Sequence, residues 1–333
     1  MKLQKISIIG SGAMATATAK VIYDSGFKNI WIYGIDNEEL EQLSQGKNLK
    51  YFPSSTQIPH FNTSNNLEQI LNNVAYIVIA LPSKVVDVVF KQILQLTNNE
   101  VYIINASKGF YPNTFLSLQQ GMRQEAKDNK YVKGIVSLLG PSHAEEIIKQ
   151  AHTLVCLVNK DSNISKQVQP LFTNSYFRTY LVEDEIGAEI GSAYKNILAI
   201  GSGMLFSKGF GINTVAAYLA RGLSEARKLN SFLGGQDTTL MGLTGLGDLI
   251  VTALSDLSRN YSFGYEFIQD KQKALQTSKT VEGLVALDNV IKIAKTNNLD
   301  LPIALSLYQI IYQDHNLDDI IKKLWNRNLK LED

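Results

Sequence analysis

Along the first half of the chain, short apolar runs alternate with segments of helical periodicity. KISIIG, NIWIYG, AYIVIALP, VYIINASKG, KGIVSLLG and HTLVCLV read as strands, and AMATATAKVIYDSG, NEELEQLSQG, SKVVDVVFKQILQL and FLSLQQGMRQEA between them read as helices. YIVIAL and VYII are nearly continuous apolar runs, the pattern of strands buried on both faces of a parallel sheet. The alternation predicts a doubly wound α/β domain. After about residue 183 the pattern changes: GINTVAAYLARGLSEARKL, SKTVEGLVALDNVIKIAKTNN, PIALSLYQIIYQ and LDDIIKKLWN carry helical periodicity and no strand stands out. The expected organisation is a sheet domain over residues 1–183 and an all-α domain over 184–333. Ligands of such sheets bind beyond the carboxyl ends of the strands, so the cleft facing the helical domain is the expected site.

Composition adds exclusions. With 32 Lys plus Arg against 31 Asp plus Glu, the net charge of +1 argues against nucleic acid as a partner. Cys156 is the single cysteine, which rules out an internal disulfide or a Cys-based metal site. The four histidines are scattered without ligand spacing, so no metal is expected. The N-terminus runs almost directly into a strand with no signal peptide before it. No apolar run approaches the ~20 residues of a membrane span. The expectation is a soluble, cytoplasmic protein; a homodimer is compatible with the sequence and not required by it.

The stretch KISIIGSGAMATATA follows a strand and opens a helix. Gly10 permits a tight turn, Gly12 lets the backbone approach a pyrophosphate, and the helix N-terminus offers free N–H groups to it. Ala15 takes the third fingerprint position. This predicts a Rossmann-like, dinucleotide-binding first domain. Some twenty residues on, Ile35 and Asp36 end the second strand, where an acid suits the ribose of NAD and an arginine the 2′-phosphate of NADP. Asp36 reads equally as the N-cap of the helix that follows, so the choice of cofactor stays open.

Lys195 is the only charged residue between Glu189 and Lys208, within EIGSAYKNILAIGSG. Burial disfavours an ammonium and brings its pKa toward the range useful for proton transfer; the other reading is a side chain that snorkels to the helix edge. Gly191 and Ser192 on its face, with Asn196 beside it, suggest room for a ligand. In MGLTGLGDLIVTALSDLSRN, Gly242, Gly245 and Gly247 point to a tight turn or a close backbone approach. Asp248, among apolar residues, needs a cation if buried, and Lys195 is a plausible partner. Arg259 offers planar donors suited to a phosphate, although SRN alone also reads as a solvated turn. Lys108 in NASKGF and Gly140 and Ser142 in LLGPSHAEE lie just past strands, on the ligand side. SHAE also matches a capping box, with Ser142 and Glu145 capping the helix near Ala144.

Taken in order, GSGAMATATA, ASKG, GPSHAEE, AYKNILAIGSG, NTVAAYLARGLSE, MGLTGLGDL and SRN resemble the bacterial-type NAD(P)-dependent glycerol-3-phosphate dehydrogenases over about residues 6 to 283. The resemblance implies a two-domain enzyme that uses NAD(P)H to reduce dihydroxyacetone phosphate to sn-glycerol 3-phosphate, feeding phospholipid synthesis. It implies catalytic roles for Lys195 and Asp248, with Lys195 the general acid/base. Substrate contacts fall on Lys108, Gly140, Ser142, Lys195, Asp248, Ser258, Arg259 and Asn260. Cofactor contacts fall on Gly10, Gly12, Ala13, Met14, Ile35, Lys108, Ala144, Arg259, Thr280 and Glu282. Ala15, His143 and Ile35 depart from the usual residues; Ile35 stands where many relatives carry a basic side chain, which bears on NADP preference. Two other readings compete: a lysine-dependent hydroxy-acid dehydrogenase of the 6-phosphogluconate or hydroxyisobutyrate type, and a silent NAD(P)-binding regulator.

Overall fold

The computed structural model describes residues 4–277 and 280–326. Eight strands form one sheet: β1 (Lys5–Ile9), β2 (Ile30–Tyr33), β3 (Asn62–Ser64), β4 (Val74–Ile79), β5 (Val101–Asn105), β6 (Val132–Leu139), β7 (Thr153–Val158) and β8 (Phe177–Val182). Their order is β3-β2-β1-β4-β5-β6-β7-β8. Neighbours pair in parallel, as in Ile8↔Ile32 between β1 and β2, except that β7 runs antiparallel to β6, with Leu138 opposite Leu157. Isoleucines and valines of alternate parity face opposite ways. Ile6, Ile8, Ile30, Ile32 and Val78 pack with Ala15, Ala19 and Ile22 of the first helix (Ala13–Asp24), while Ile9, Ile77, Ile79 and Ile103 pack with Phe90, Ile93 and Met122 on the other face. A sheet covered on both faces is the doubly wound arrangement that the continuous apolar runs imply.

Three features depart from the sequence reading. β3 is three residues long and too short to leave a pattern. β8, FRTYLV, alternates buried and exposed positions at a sheet edge. The reversal at β7 follows from its connection: only the short helix Ala144–Ile147 lies between β6 and β7, so the chain returns antiparallel instead of crossing over.

The second half is built on the central helix Glu185–Ser207, in which every residue from Gly187 to Leu205 is buried. A helix apolar on all sides is enclosed by others; here Ile212–Leu233, Arg259–Gln269, Glu282–Asn297 and Pro302–Tyr312 surround it. Its first two turns are fastened to the sheet domain. Glu185 forms a forked pair with Arg123, at 2.7 and 2.5 Å, and accepts from Lys160 N at 2.8 Å. One turn later, both Glu189 oxygens accept from Gln119 N at 3.2 Å, and Oε1 also accepts from Ser137 Oγ at 2.8 Å. Among the described residues, no helix is long and apolar enough to cross a membrane.

Candidate active site

The turn after β1 has the shape its glycines predict. Gly10 has φ +121°, and a Cβ there would stand 2.5 Å from Ala80 O, so the backbone conformation and the packing both require glycine. Gly12 is the N-cap of the first helix, and no side chain caps that end. The opening N–H groups, those of Ala13 and Met14 included, belong to the turn of a helix that lacks intrahelical partners. Above Gly12 there is space: an added Cβ would meet nothing nearer than Tyr51 Oη at 3.8 Å. Uncapped donors, a positive helix end and room for backbone approach fit a dinucleotide pyrophosphate. At the end of β2, Ile35 is 87% exposed, and Asp36 does make the N-cap, accepting from Glu38 N at 3.0 Å and Glu39 N at 3.3 Å.

Beyond the carboxyl ends of β5 and β6, the two domains meet at a charge cluster. Asp248, 1% exposed, accepts from Lys195 Nζ at 2.5 Å through Oδ1 and from Lys108 Nζ at 2.7 Å through Oδ2. Lys195 is 6% exposed and also donates to Thr252 Oγ1 at 2.8 Å, whose own hydroxyl donates to Asp248 O at 2.6 Å. Burial pushes the Lys195 pKa down, to about 7; the Asp248 charge opposes this and the Lys108 charge adds to it. The pairing of Lys195 with Asp248 is the one that burial demands, and the snorkelling alternative is not what the chain adopts. Thr252 was absent from the sequence reading, although its i+4 spacing from Asp248 was the signal.

The face of Lys195 is tighter than its small residues suggested. The Leu243–Gly247 turn fills the space at Gly191: a Cβ there would lie 2.9 Å from Gly245 Cα and 3.0 Å from Thr244 O. The glycines of MGLTGLGDL thus provide a backbone contact between helix and turn, and the room at Gly191 is taken by protein.

Gly140, φ +136°, presents its carbonyl to Lys108 Nζ at 3.1 Å. Ser142 Oγ donates to that same carbonyl at 2.9 Å, and the short helix from Ala144 is preceded by His143 with no side-chain cap. The expected capping box of Ser142 with Glu145 is not formed: the N-cap position falls on His143, one residue later, which puts Ser142 and Glu145 out of register for the box. Met14, Lys108 and Ser142 border one small cavity whose other walls, among them Leu138, Phe172 and Phe177, are mostly apolar. Ala144 is buried in the sheet-domain core.

Ser258 caps the Arg259–Gln269 helix, accepting from Tyr261 N at 3.3 Å. Asn260 bridges two elements: it donates to Asn196 Oδ1 at 3.0 Å and accepts from Gly283 N at 2.9 Å. Arg259 is exposed, on the side of Tyr51 and the Gly-rich turn. Thr280 is half-buried just before Glu282, which accepts from Ser83 N at 3.1 Å and Ser83 Oγ at 2.5 Å at the end of β4. Ser83 had no signature in the sequence; its partner lies 199 positions away. Among the described residues no group of three or more His, Cys, Asp or Glu forms a metal-ligand set.

This arrangement has relatives. The glycerol-3-phosphate dehydrogenase [NAD(P)+] of Mycoplasma mobile is 53% identical over 331 residues, covering 99% of both chains. That of Streptococcus agalactiae is 36% identical over 338 residues, covering 100% of this chain and 99% of its own. The crystal structure of glycerol-3-phosphate dehydrogenase from Coxiella burnetii superposes with a TM-score of 0.90 at 29% identity, covering 98% of this chain and 100% of that one. Residues 5–165 match the NAD-dependent glycerol-3-phosphate dehydrogenase N-terminus and residues 184–322 match its C-terminus, so the chain belongs to the NAD-dependent glycerol-3-phosphate dehydrogenase family.

Proposed function

We propose that the protein reduces dihydroxyacetone phosphate to sn-glycerol 3-phosphate with NAD(P)H, and that Lys195 delivers the proton. When bound, the nicotinamide supplies the hydride that goes to the carbonyl carbon. The observation that carries the reading is the buried Lys195 ammonium, held between Asp248 and Thr252 where the sheet ends meet the helical domain. Burial lowers its hold on the proton, so it can protonate the carbonyl oxygen as negative charge develops there. Carbon gains the hydride and oxygen the proton; the neutral amine is then recharged from solvent.

Asp248 keeps both ammonium groups in place. Lys108, Gly140, Ser142, Ser258 and Asn260 line the substrate side, and Arg259 anchors the phosphate with its planar donor pair. Gly10, Gly12, Ala13 and Met14 hold the pyrophosphate. Ile35 flanks the adenosine end, and Lys108, Ala144 and Arg259 border the cofactor. Thr280 and Glu282 approach the nicotinamide end, a reading supported by the contact of Glu282 with the tip of β4. The same reading puts the protein in the cytoplasm, supplying glycerol phosphate for phospholipid synthesis; light scattering would test for a homodimer.

The hydroxy-acid alternative rests on architecture and a lysine alone, whereas family membership spans both halves of the chain. The test is absorbance at the nicotinamide band with dihydroxyacetone phosphate or unphosphorylated dihydroxyacetone. Oxidation of NADH or NADPH with the phosphorylated compound only is expected; oxidation with neither, or equally with both, overturns the assignment.

A further inference from the structure

Beyond the end of β2 a dinucleotide is read at its adenosine ribose, where local charge discriminates a 2′-hydroxyl from a 2′-phosphate. Two charged side chains that the mechanism does not use, Glu39 and Lys50, meet at this point. Gly34 closes β2 against Ser11 of the Gly-rich turn; a Cβ on Gly34 would stand 2.9 Å from Ser11 Oγ. Ser11 Oγ donates to Glu39 Oε2, and Glu39 is buried. Lys50 Nζ lies 2.5 Å from Glu39 Oε1 and 3.8 Å from Asp36 Oδ2. Its loop is pinned to the turn by Asn48, which donates to Ser11 O at 2.9 Å and Thr16 Oγ1 at 2.8 Å.

The charge at this point is negative. Asp36 and Glu39 outnumber Lys50, whose ammonium is already shared between them, and Ile35 contributes an exposed apolar side chain with no charge. Arg259, on the side of the helical domain, faces Tyr51 above Gly12, at the pyrophosphate end of the turn. A 2′-phosphate would bring further negative charge against two carboxylates whose shared cation, Lys50, is already engaged by both. A 2′-hydroxyl brings no charge and can donate to a carboxylate oxygen.

We propose that Glu39, locked between Ser11 and Lys50, is a specificity residue that makes this enzyme select NADH over NADPH. The inference rests on the dinucleotide reading of the Gly-rich turn. Equilibrium binding tests it: NADH and NADPH are titrated separately onto the full chain without substrate, followed by nicotinamide fluorescence. NADPH is expected to bind about tenfold more weakly or worse. Glu39→Gln, which removes one carboxylate and frees Lys50, should narrow the gap several-fold. Lys50→Met, which leaves both carboxylates without their cation, should widen it. Equal or tighter binding of NADPH by the natural chain overturns the proposal, as does a gap that neither substitution moves. Binding of neither cofactor overturns the underlying dinucleotide reading instead, so the two failures are distinguishable.

Discussion

Lys108 and Lys195 stand on the two oxygens of one carboxylate, at 2.7 and 2.5 Å. Lys108 follows β5 of the sheet and Lys195 lies on the central helix, so Asp248 joins the two halves of the molecule through charge. Two ammonium groups that would repel each other are held in one cleft because the anion between them is almost fully buried.

Removing that anion should cost both stability and proton transfer. Asp248→Asn leaves two cations uncompensated, with an expected loss of about 3–5 kcal/mol in unfolding free energy by chemical denaturation. It also removes what holds the Lys195 proton, so the pH limb of the reduction rate should move to lower pH. For comparison, Lys195→Ala should cut turnover by about 10²–10⁴-fold with cofactor binding changed only a few-fold. Near-normal turnover in Lys195→Ala would remove the lysine from the reaction.

Among the described residues Arg259 forms no ion pair, so its substitution should be read in substrate affinity. Arg259→Ala is expected to raise KM for dihydroxyacetone phosphate by about 10–100-fold, with much less change in folding stability. Initial-rate kinetics at saturating cofactor measure it, and an unchanged KM would take the phosphate elsewhere.

The contact of Gly191 with Gly245 sets the position of Asp248 relative to Lys195. A methyl added in Gly191→Ala overpacks this contact, at a cost of about 1–3 kcal/mol, and relief comes by shifting the turn that leads into Asp248. Both Tm and kcat should fall. Gly211→Ala, whose added Cβ meets nothing within 4 Å, is the control: kcat should stay, and Tm should fall only by the small cost of alanine at a helix N-cap.

Stability should depend on pH through two buried groups with opposite slopes. Burial pushes the Glu189 carboxyl from its ordinary 4.5 up to about 7. Between these values the folded chain binds more protons than the unfolded one, so stability falls as pH rises. Lys195 goes from 10.5 down to about 7, so above pH 7 the unfolded chain binds more protons and stability rises toward 10.5. Denaturant midpoints across this range should dip near neutrality, and Glu189→Gln should flatten the acidic limb alone.

What the sequence disclosed was whatever local chemistry forces. The Gly10–Gly12 turn needs glycine for its backbone, Asp36 is a capping residue before an exposed helix, and a buried Lys195 needed an anion within reach. Contacts set by chain topology were hidden. Lys108 reaches Asp248 across 140 positions, and Ser83 reaches Glu282 across 199. Nothing near Ser83 in the chain distinguishes it from any serine after a strand. Ser142 shows the opposite case: the capping-box pattern is present in the sequence, but the helix starts one residue later, with His143 at the N-cap, and Ser142 donates to the Gly140 carbonyl. β8 leaves little mark in the sequence because an edge strand with alternating exposure lacks the apolar continuity of its neighbours.

The anchoring of Glu185 and Glu189 has a mechanical consequence for Lys195. Both carboxylates fix the start of the central helix to Arg123, Gln119 and Ser137, and Lys195 follows Glu189 by about 9 Å on the same rigid rod. The proton donor is therefore mounted on the frame of the sheet, even though it sits in the helical half of the sequence. The helix that opens with Arg259 is seated on the same rod backbone to backbone: a Cβ on Gly264 would collide with Ile200 O, and one on Gly203 with Tyr261 O. The spacing between the acid, the strand ends and the start of the Arg259 helix is therefore a fixed dimension of the scaffold.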